Sequence, residues 1–162
     1  MDNKITDWVG ISRIVQNLRS SKPYIKIVTT CGAFDMLHAG HLSSLRKAKS
    51  FGDILIVCLN SDLSIKGYKS TKRPIISQNY RAEMLAGLEA VDYVVLFEET
   101  TPNNLLEVIK PNFHVKSKMG FKGVETETVE KNGGKIELIE DIPGLSTTNI
   151  IKKILEVESS EN

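Results

Sequence analysis

The chain has 162 residues, of which 41% are hydrophobic and 25% charged, enough for one compact domain with a real core and too few for a second. Lysine and arginine number 21 against 20 acidic residues, a formal net charge of +1, so bulk charge gives no reason to expect nucleic acid or an anionic membrane as partner. Any anion site must be local.

In chain order, Ile5 to Leu18 places Ile5, Trp8, Val9, Ile11, Ile14, Val15 and Leu18 at helical spacing, before a polar break through Ser20 to Pro23. This predicts a first helix, with Trp8 either covering the core or forming an interface. Ile25 to Cys31 is a short β-branched run closed by Gly32, which reads as a strand buried on both faces. A helix is expected from Ala39 to Lys49 and stops at Gly52. A second strand follows over Asp53 to Leu59. Lys66 to Arg73 reads as a basic loop ending at Pro74, Gln78 to Ala90 as a helix, and Asp92 to Phe97 as a third strand. Thr101 and Pro102 open another helix; Phe113 to Lys116 and Lys135 to Ile139 are the fourth and fifth strands, with a short helix over Glu125 to Lys131 between them. Ser146 caps a last helix, and the tail from Glu158 is polar.

Strands alternating with helices imply an α/β fold: an open, doubly wound, five-stranded parallel sheet of Rossmann-like type with helices on both faces. Ligands of such sheets bind beyond the carboxyl ends of the strands, so the loop after the first strand is where a site is expected. Cys31 and Cys58 both fall in strand-like runs and are expected to be free thiols. The first residues lack the basic and apolar regions of a signal peptide, and no apolar run approaches the ~18 residues of a membrane span. The expectation is a cytoplasmic protein without a membrane partner.

The loop itself reads Gly32-Ala33-Phe34-Asp35-Met36-Leu37-His38-Ala39-Gly40-His41. Two imidazoles three residues apart at a helix start share one side, beside backbone N–H groups that favour an anion. Phosphate is the natural guest, and Gly40 would let it approach the backbone. A pair of capping histidines is the plainer alternative, and further ligands for a metal are not evident. The basic loop with Lys66, Lys69, Lys72 and Arg73, the helix bearing Arg81, and the Ser146-Thr147-Thr148 helix start after Pro143-Gly144 would converge on the same sheet edge.

The segment GAFDMLHAGHLSSLRKAKSFGD resembles the signature of the cytidylyltransferase-like nucleotidyltransferase family, whose hallmark is H-x-G-H, and STTNIIKKI resembles its C-terminal motif. From about Ile25 to Leu155, the successive blocks LNSDLSIKGYKSTKRPI, YRAEMLAGLEAVDYVVLFEETTP, IKPNFHVK and NGGKIELIEDIPGLSTTNIIKKI resemble the adenylyltransferase domain of ADP-heptose synthases. Glycerol-3-phosphate cytidylyltransferases are more distant.

The resemblance implies one nucleotidyltransferase domain over residues 1–162, with an N-terminal helix in 1–24, a core in 25–157 and a tail in 158–162. It implies transfer of a nucleoside monophosphate from a nucleoside triphosphate, ATP favoured, to a sugar phosphate such as heptose 1-phosphate, with Mg²⁺ accompanying the nucleotide. A CTP-dependent transfer to glycerol 3-phosphate, another small phosphorylated alcohol or a phosphonate is the alternative. His38, His41, Lys66 and Arg81 would be catalytic, with Lys66 matching the family's lysine best. Gly32, Ala33, Phe34, Gly40, Lys69, Ser146, Thr147 and Thr148 would bind nucleotide; Asp35, Lys116 and Lys118 would serve the substrate. A homodimer is expected on the same ground. One departure stands out: the heptose enzymes carry Gly-Gly-Asp-Tyr after the strand lysine, where this chain has Ser117-Lys118-Met119-Gly120-Phe121 following Lys116. Lys118 there would suit a more anionic acceptor, a solvated surface lysine being the plain alternative. His114, mid-strand, reads as structural.

Overall fold

The computed structural model describes residues 4–160. Its centre is a six-stranded, wholly parallel sheet in the order β1-β4-β3-β2-β5-β6. The strands are β1 (Ile5–Thr6), β2 (Ile27–Gly32), β3 (Ile54–Asn60), β4 (Tyr93–Phe97), β5 (Phe113–Ser117) and β6 (Lys135–Ile139). The helices are α1 (Trp8–Ser21), α2 (Ala39–Lys49), α3 (Asp62–Tyr68), α4 (Gln78–Ala86), α5 (Asn103–Ile109), α6 (Thr126–Lys131) and α7 (Thr147–Ser160).

Successive strand residues point to opposite faces, and both faces are apolar, so the core divides in two. One half packs Ile27, Ile56, Cys58 and Val95 against Ile11 and Val15 of α1, Leu105, Leu106 and Ile109 of α5, and Val129 of α6. The other packs Val28, Leu55, Val57, Leu59 and Val94 against Leu45 and Ala48 of α2 and Ala82 and Leu85 of α4. Alternation along β3 therefore sends Ile56 and Cys58 one way and Leu55, Val57 and Leu59 the other, which makes the sheet doubly wound.

Several details differ from the sequence reading, among them α4, which stops at Ala86 and not at Ala90. Ile5 and Thr6 are not the start of α1; they form a sixth, edge strand beside Val94 and Val95. Asp7 then caps α1 by accepting from the Gly10 N–H at 2.7 Å. Trp8 covers the first half-core, and its indole N–H donates to the Leu96 carbonyl at 2.9 Å. The expected basic loop is helical in its first part: Ser61 caps α3 by accepting from Ser64 N–H at 3.0 Å, and Lys66 sits on the last turn. Pro102, not Thr101, is the residue that precedes the helical part of α5. Finally, α7 continues past the expected tail boundary to Ser160 and buries none of its residues. Cys31 and Cys58 are free thiols, as expected. Among the described residues no helix is long and apolar enough to cross a membrane.

The chain moves from β2 outward through β3 and β4 on one side, then returns to place β5 against the other edge of β2. β2 and β5 therefore flank the point where strand order reverses, and their carboxyl ends, Gly32 and Ser117, open onto the crevice such folds use for ligands.

Candidate active site

The loop leaving β2 is bent by residues in unusual conformations. Phe34 and Met36 have φ of 47° and 52°, left-handed values that cost a side chain energy and persist where surroundings enforce them. What enforces them is Asp35, only 4% exposed. Its carboxylate accepts from the Ile75 and Ile76 N–H groups at 2.8 and 2.9 Å and from Arg73 at 3.3 Å, and its carbonyl accepts from Thr147 Oγ1 at 2.7 Å. Asp35 thus orders the basic loop and the start of α7 together.

His38 is the N-cap of α2. Its Nδ1 accepts from the Gly40 and His41 N–H groups at 3.1 and 3.4 Å, so the ring proton of the neutral form lies on Nε2. The His38 and His41 rings stack with centroids 3.8 Å apart, and Phe34 lies tilted against His41 at 5.4 Å. A methyl group at Gly40 would come within 2.9 Å of the His38 ring; the glycine makes room for the stacked pair itself. Burial, followed by the His38 and Lys69 charges, pushes the His41 pKa down to about 4, and burial lowers that of His38. Both rings are neutral near pH 7. His41 Nδ1 is buried with no hydrogen-bond partner among the described residues.

Three cavities adjoin in series beside these rings, of which the first two are lined by His41. The first, about 300 Å³, lies between His38, Gly40, His41 and the start of α7 at Ser146 and Thr147. A second, about 250 Å³, is walled by Phe34, Asp35, Lys69 and Lys116 and shares His41, Ser44, Asp141 and Thr147 with the first. The third, about 470 Å³, is lined by Tyr68, Phe97, Thr100, Phe121 and Glu125 and shares Cys31, Gly32, Lys116 and Ser117 with the second. Ser146 Oγ accepts from Asn149 N–H at 3.2 Å and so caps the start of α7, whose residues Ser146, Thr147 and Asn149 line the first cavity.

Several expected residues are placed elsewhere. Lys66 is exposed on α3 and lines none of these three cavities; of the basic segment it belongs to, Lys69, whose pKa burial lowers, lines the second. Arg81 is 2% exposed and turned into the scaffold: it donates to the carbonyls of Ile76, Ala33 and Asn60 at 2.9, 2.5 and 2.9 Å and to Asp62 at 2.8 Å. Each of its three nitrogens donates to a protein oxygen, so in this structure it ties the loops around the site together. Ala33 contributes that carbonyl and lines the second cavity with Gly32 and Phe34. Lys118 is exposed and paired with Glu140 at 2.9 Å, and Thr148 points to solvent. Asp141 and Ser44, which line two cavities, were not singled out from sequence; an acidic residue just ahead of Pro143-Gly144 was the available signal for the first.

Beside the cavities lies a buried polar cluster. Lys116 Nζ donates to Cys31 Sγ at 3.0 Å and pairs with Glu125 Oε1 at 3.2 Å; Cys31 Sγ lies 3.6 Å from the same oxygen. His114 is fully buried, with Nδ1 2.7 Å from Thr29 Oγ1 and Nε2 3.9 Å from Cys31 Sγ. Burial drives its pKa down to about 3 and the Cys31 thiol up to about 11, the latter against the pull of Lys116. Cys31, His114 and Glu125 have ligand atoms within 4.8 Å of one another, a metal-type grouping that the sequence spacing did not reveal. The Lys116 ammonium stands against two of the three and supplies the positive charge there.

Histidines and an exposed helix start around one cavity, on the switch point of a parallel sheet, define a nucleotide-handling α/β domain of the nucleotidyltransferase class. A family model described as cytidylyltransferase-like matches residues 29–153, and the chain belongs to that family. It is 49% identical over 138 residues to the bifunctional protein HldE of Geobacter sulfurreducens, covering 84% of this chain and 28% of that protein. The HldE of Geobacter metallireducens is 44% identical over 164 residues, covering 99% and 33%. The chain therefore spans about a third of these relatives. Among solved structures, a lipopolysaccharide core biosynthesis protein from Thermoplasma volcanium aligns with a TM-score of 0.60 and 26% identity over 73% of this chain and 97% of that one. A pantoate-beta-alanine ligase from Francisella tularensis shares the fold at TM-score 0.60 and 17% identity, over 94% and 78%.

Proposed function

We propose that the chain transfers a nucleoside monophosphate, ATP being the favoured donor, to a sugar phosphate such as heptose 1-phosphate, with release of pyrophosphate. The observation that carries this reading is the run of three cavities: the first offers His38, His41 and the α7 N-terminus to a triphosphate, the third is a larger polar and aromatic chamber, and the second, which shares His41 and Thr147 with the first, shares Lys116 with the third. The HldE relatives and the lipopolysaccharide core biosynthesis protein favour a carbohydrate acceptor.

In the reaction an acceptor phosphate oxygen forms a bond to the α-phosphorus as the bond from that phosphorus to the β-phosphate bridging oxygen breaks. Both partners are anions, so the protein's task is alignment and charge neutralisation. His38 donates from Nε2. His41, whose pKa burial lowers to about 4, gains affinity for a proton as the anion arrives. Lys69 reaches the phosphates from the basic loop, Ser146 and Thr147 present the helix start to the β- and γ-phosphates, and Lys116 serves the transferring group. The triphosphate enters with Mg²⁺ as part of the substrate. Asp35 has its carboxylate filled by backbone N–H groups, which leaves Asp141, on the rim of both cavities, as the carboxylate that would meet the ion.

The test is pyrophosphate release by purified protein given ATP or CTP, Mg²⁺ and a panel of sugar 1-phosphates, polyol phosphates and a phosphonate. ATP with a sugar phosphate should give the highest kcat/KM. Preference for CTP with glycerol 3-phosphate would replace this reading with the cytidylyl one, and silence across the panel would remove both.

A further inference from the structure

The Lys116–Glu125–Cys31 cluster lies where two of the cavities touch. Its lysine comes from the end of β5 and its thiol from the end of β2, whereas its carboxylate comes from the segment leading into α6. A free lysine has a flexible four-carbon stem and about 2 kcal/mol of rotamer entropy. It would wander between solvent and whichever phosphate came first. Here the ammonium is fixed by a 3.0 Å contact to sulfur and a 3.2 Å contact to a carboxylate that is itself only 4% exposed. An ammonium has three donors. Two are taken by these partners, which leaves the third for an anion at the junction. A buried carboxylate is costly to keep unless paired, so Glu125 and Lys116 hold each other, and the neutral His114 closes the floor behind Cys31.

We propose that Glu125 is a positioning residue: together with the Cys31 sulfur it holds the Lys116 ammonium at the wall shared by the two cavities, where acceptor phosphate and α-phosphate must meet. The inference rests on the nucleotidyl-transfer reading above. It makes Lys116 the group that touches reacting atoms and Glu125 the group that acts through it. The titratable groups facing Lys116 are Cys31 on β2, Glu125, His114 on its own strand, Tyr68 on α3 and Cys58 on β3. Burial alone would lower the Lys116 pKa; the Cys31 thiol and the Glu125 carboxylate outweigh it and hold the ammonium charged.

The experiment compares Glu125→Gln, Lys116→Met and the double variant with the unaltered chain. Glu125→Gln should lower kcat by about tenfold to a hundredfold while KM for the triphosphate moves less than about threefold. The double variant should be no slower than Lys116→Met alone. The alkaline limb of the kcat–pH profile should move to lower pH in Glu125→Gln, and Glu125→Asp should recover part of the loss. In lysine-labelled protein, NMR titration of the Lys116 ammonium, assigned by its disappearance in Lys116→Met, should show a lower pKa in Glu125→Gln. Additive losses, an unchanged kcat or an unchanged titration would each overturn the proposal. If the unaltered chain releases pyrophosphate from no substrate pair, the reaction itself is refuted, and the titration still decides whether Glu125 holds the ammonium.

Discussion

The loop after β2 feeds two polar clusters with opposite fates. On one side Asp35 and Arg81 are almost wholly enclosed, and the Asp35 oxygens and Arg81 nitrogens end on protein partners. On the other, His41 is half-buried and Lys69 exposed, both have lowered pKa values and both line the second cavity; His41 Nδ1 has no partner among the described residues. Polar and charged side chains drawn to one end of the sheet serve shape in one case and line a cavity in the other. Saturation of hydrogen bonds, more than residue type, separates scaffold from site.

That contrast can be broken most sharply at His41. His41→Ala should reduce pyrophosphate release about 10²–10³-fold with the melting temperature nearly unchanged; a variant that loses stability instead would move His41 into the scaffold class. Arg81→Met should do the reverse, since it strands three carbonyls and the Asp62 pairing, and should cost about 3 kcal/mol in urea unfolding. An Arg81→Met protein as stable as the original would refute the reading of Arg81 as a tether. Lys69→Ala should lower kcat/KM roughly tenfold to a hundredfold, whereas Lys66→Ala should change it by less than about twofold. Reversal of that pair would restore Lys66 to the site.

The smallest effect is one of pH. His114 and His41 have folded pKa values of about 3 and about 4 against an ordinary 6.5, so between these limits the unfolded chain binds more protons than the folded one. Stability is therefore full above 6.5 and falls as pH drops toward 4 and then 3. Denaturant midpoints measured across that window should decline, and more gently in His114→Gln.

How far these features were legible varies with the physics behind them. β3 could be read directly because a short apolar run flanked by turn residues has few other uses. β1 could not: a two-residue edge strand has no periodicity, and Ile5 fitted the helical stripe of α1 equally well. The histidine pair and the helix start at Ser146 were visible because their spacing is local. That Arg81 turns inward and Lys66 outward could not be read for a common reason: a charged residue near a sheet edge is equally plausible either way, and for Arg81 the choice depends on carbonyls such as those of Ala33 and Asn60, whose orientation the sequence does not encode. Glu125 went unnoticed because its partners, Cys31 and Lys116, come from distant strands that meet only after the chain reverses its winding.

Thr147 ties the first turn of α7 to the Asp35 carbonyl, yet the rest of that helix, including Ile154, Leu155 and Val157, stays largely uncovered. Such an element is moored at its root and loose along its shaft. Its amide protons should exchange with deuterated water progressively faster toward Ser160, far ahead of those in α1, whose Ile11 and Val15 are locked in the interior.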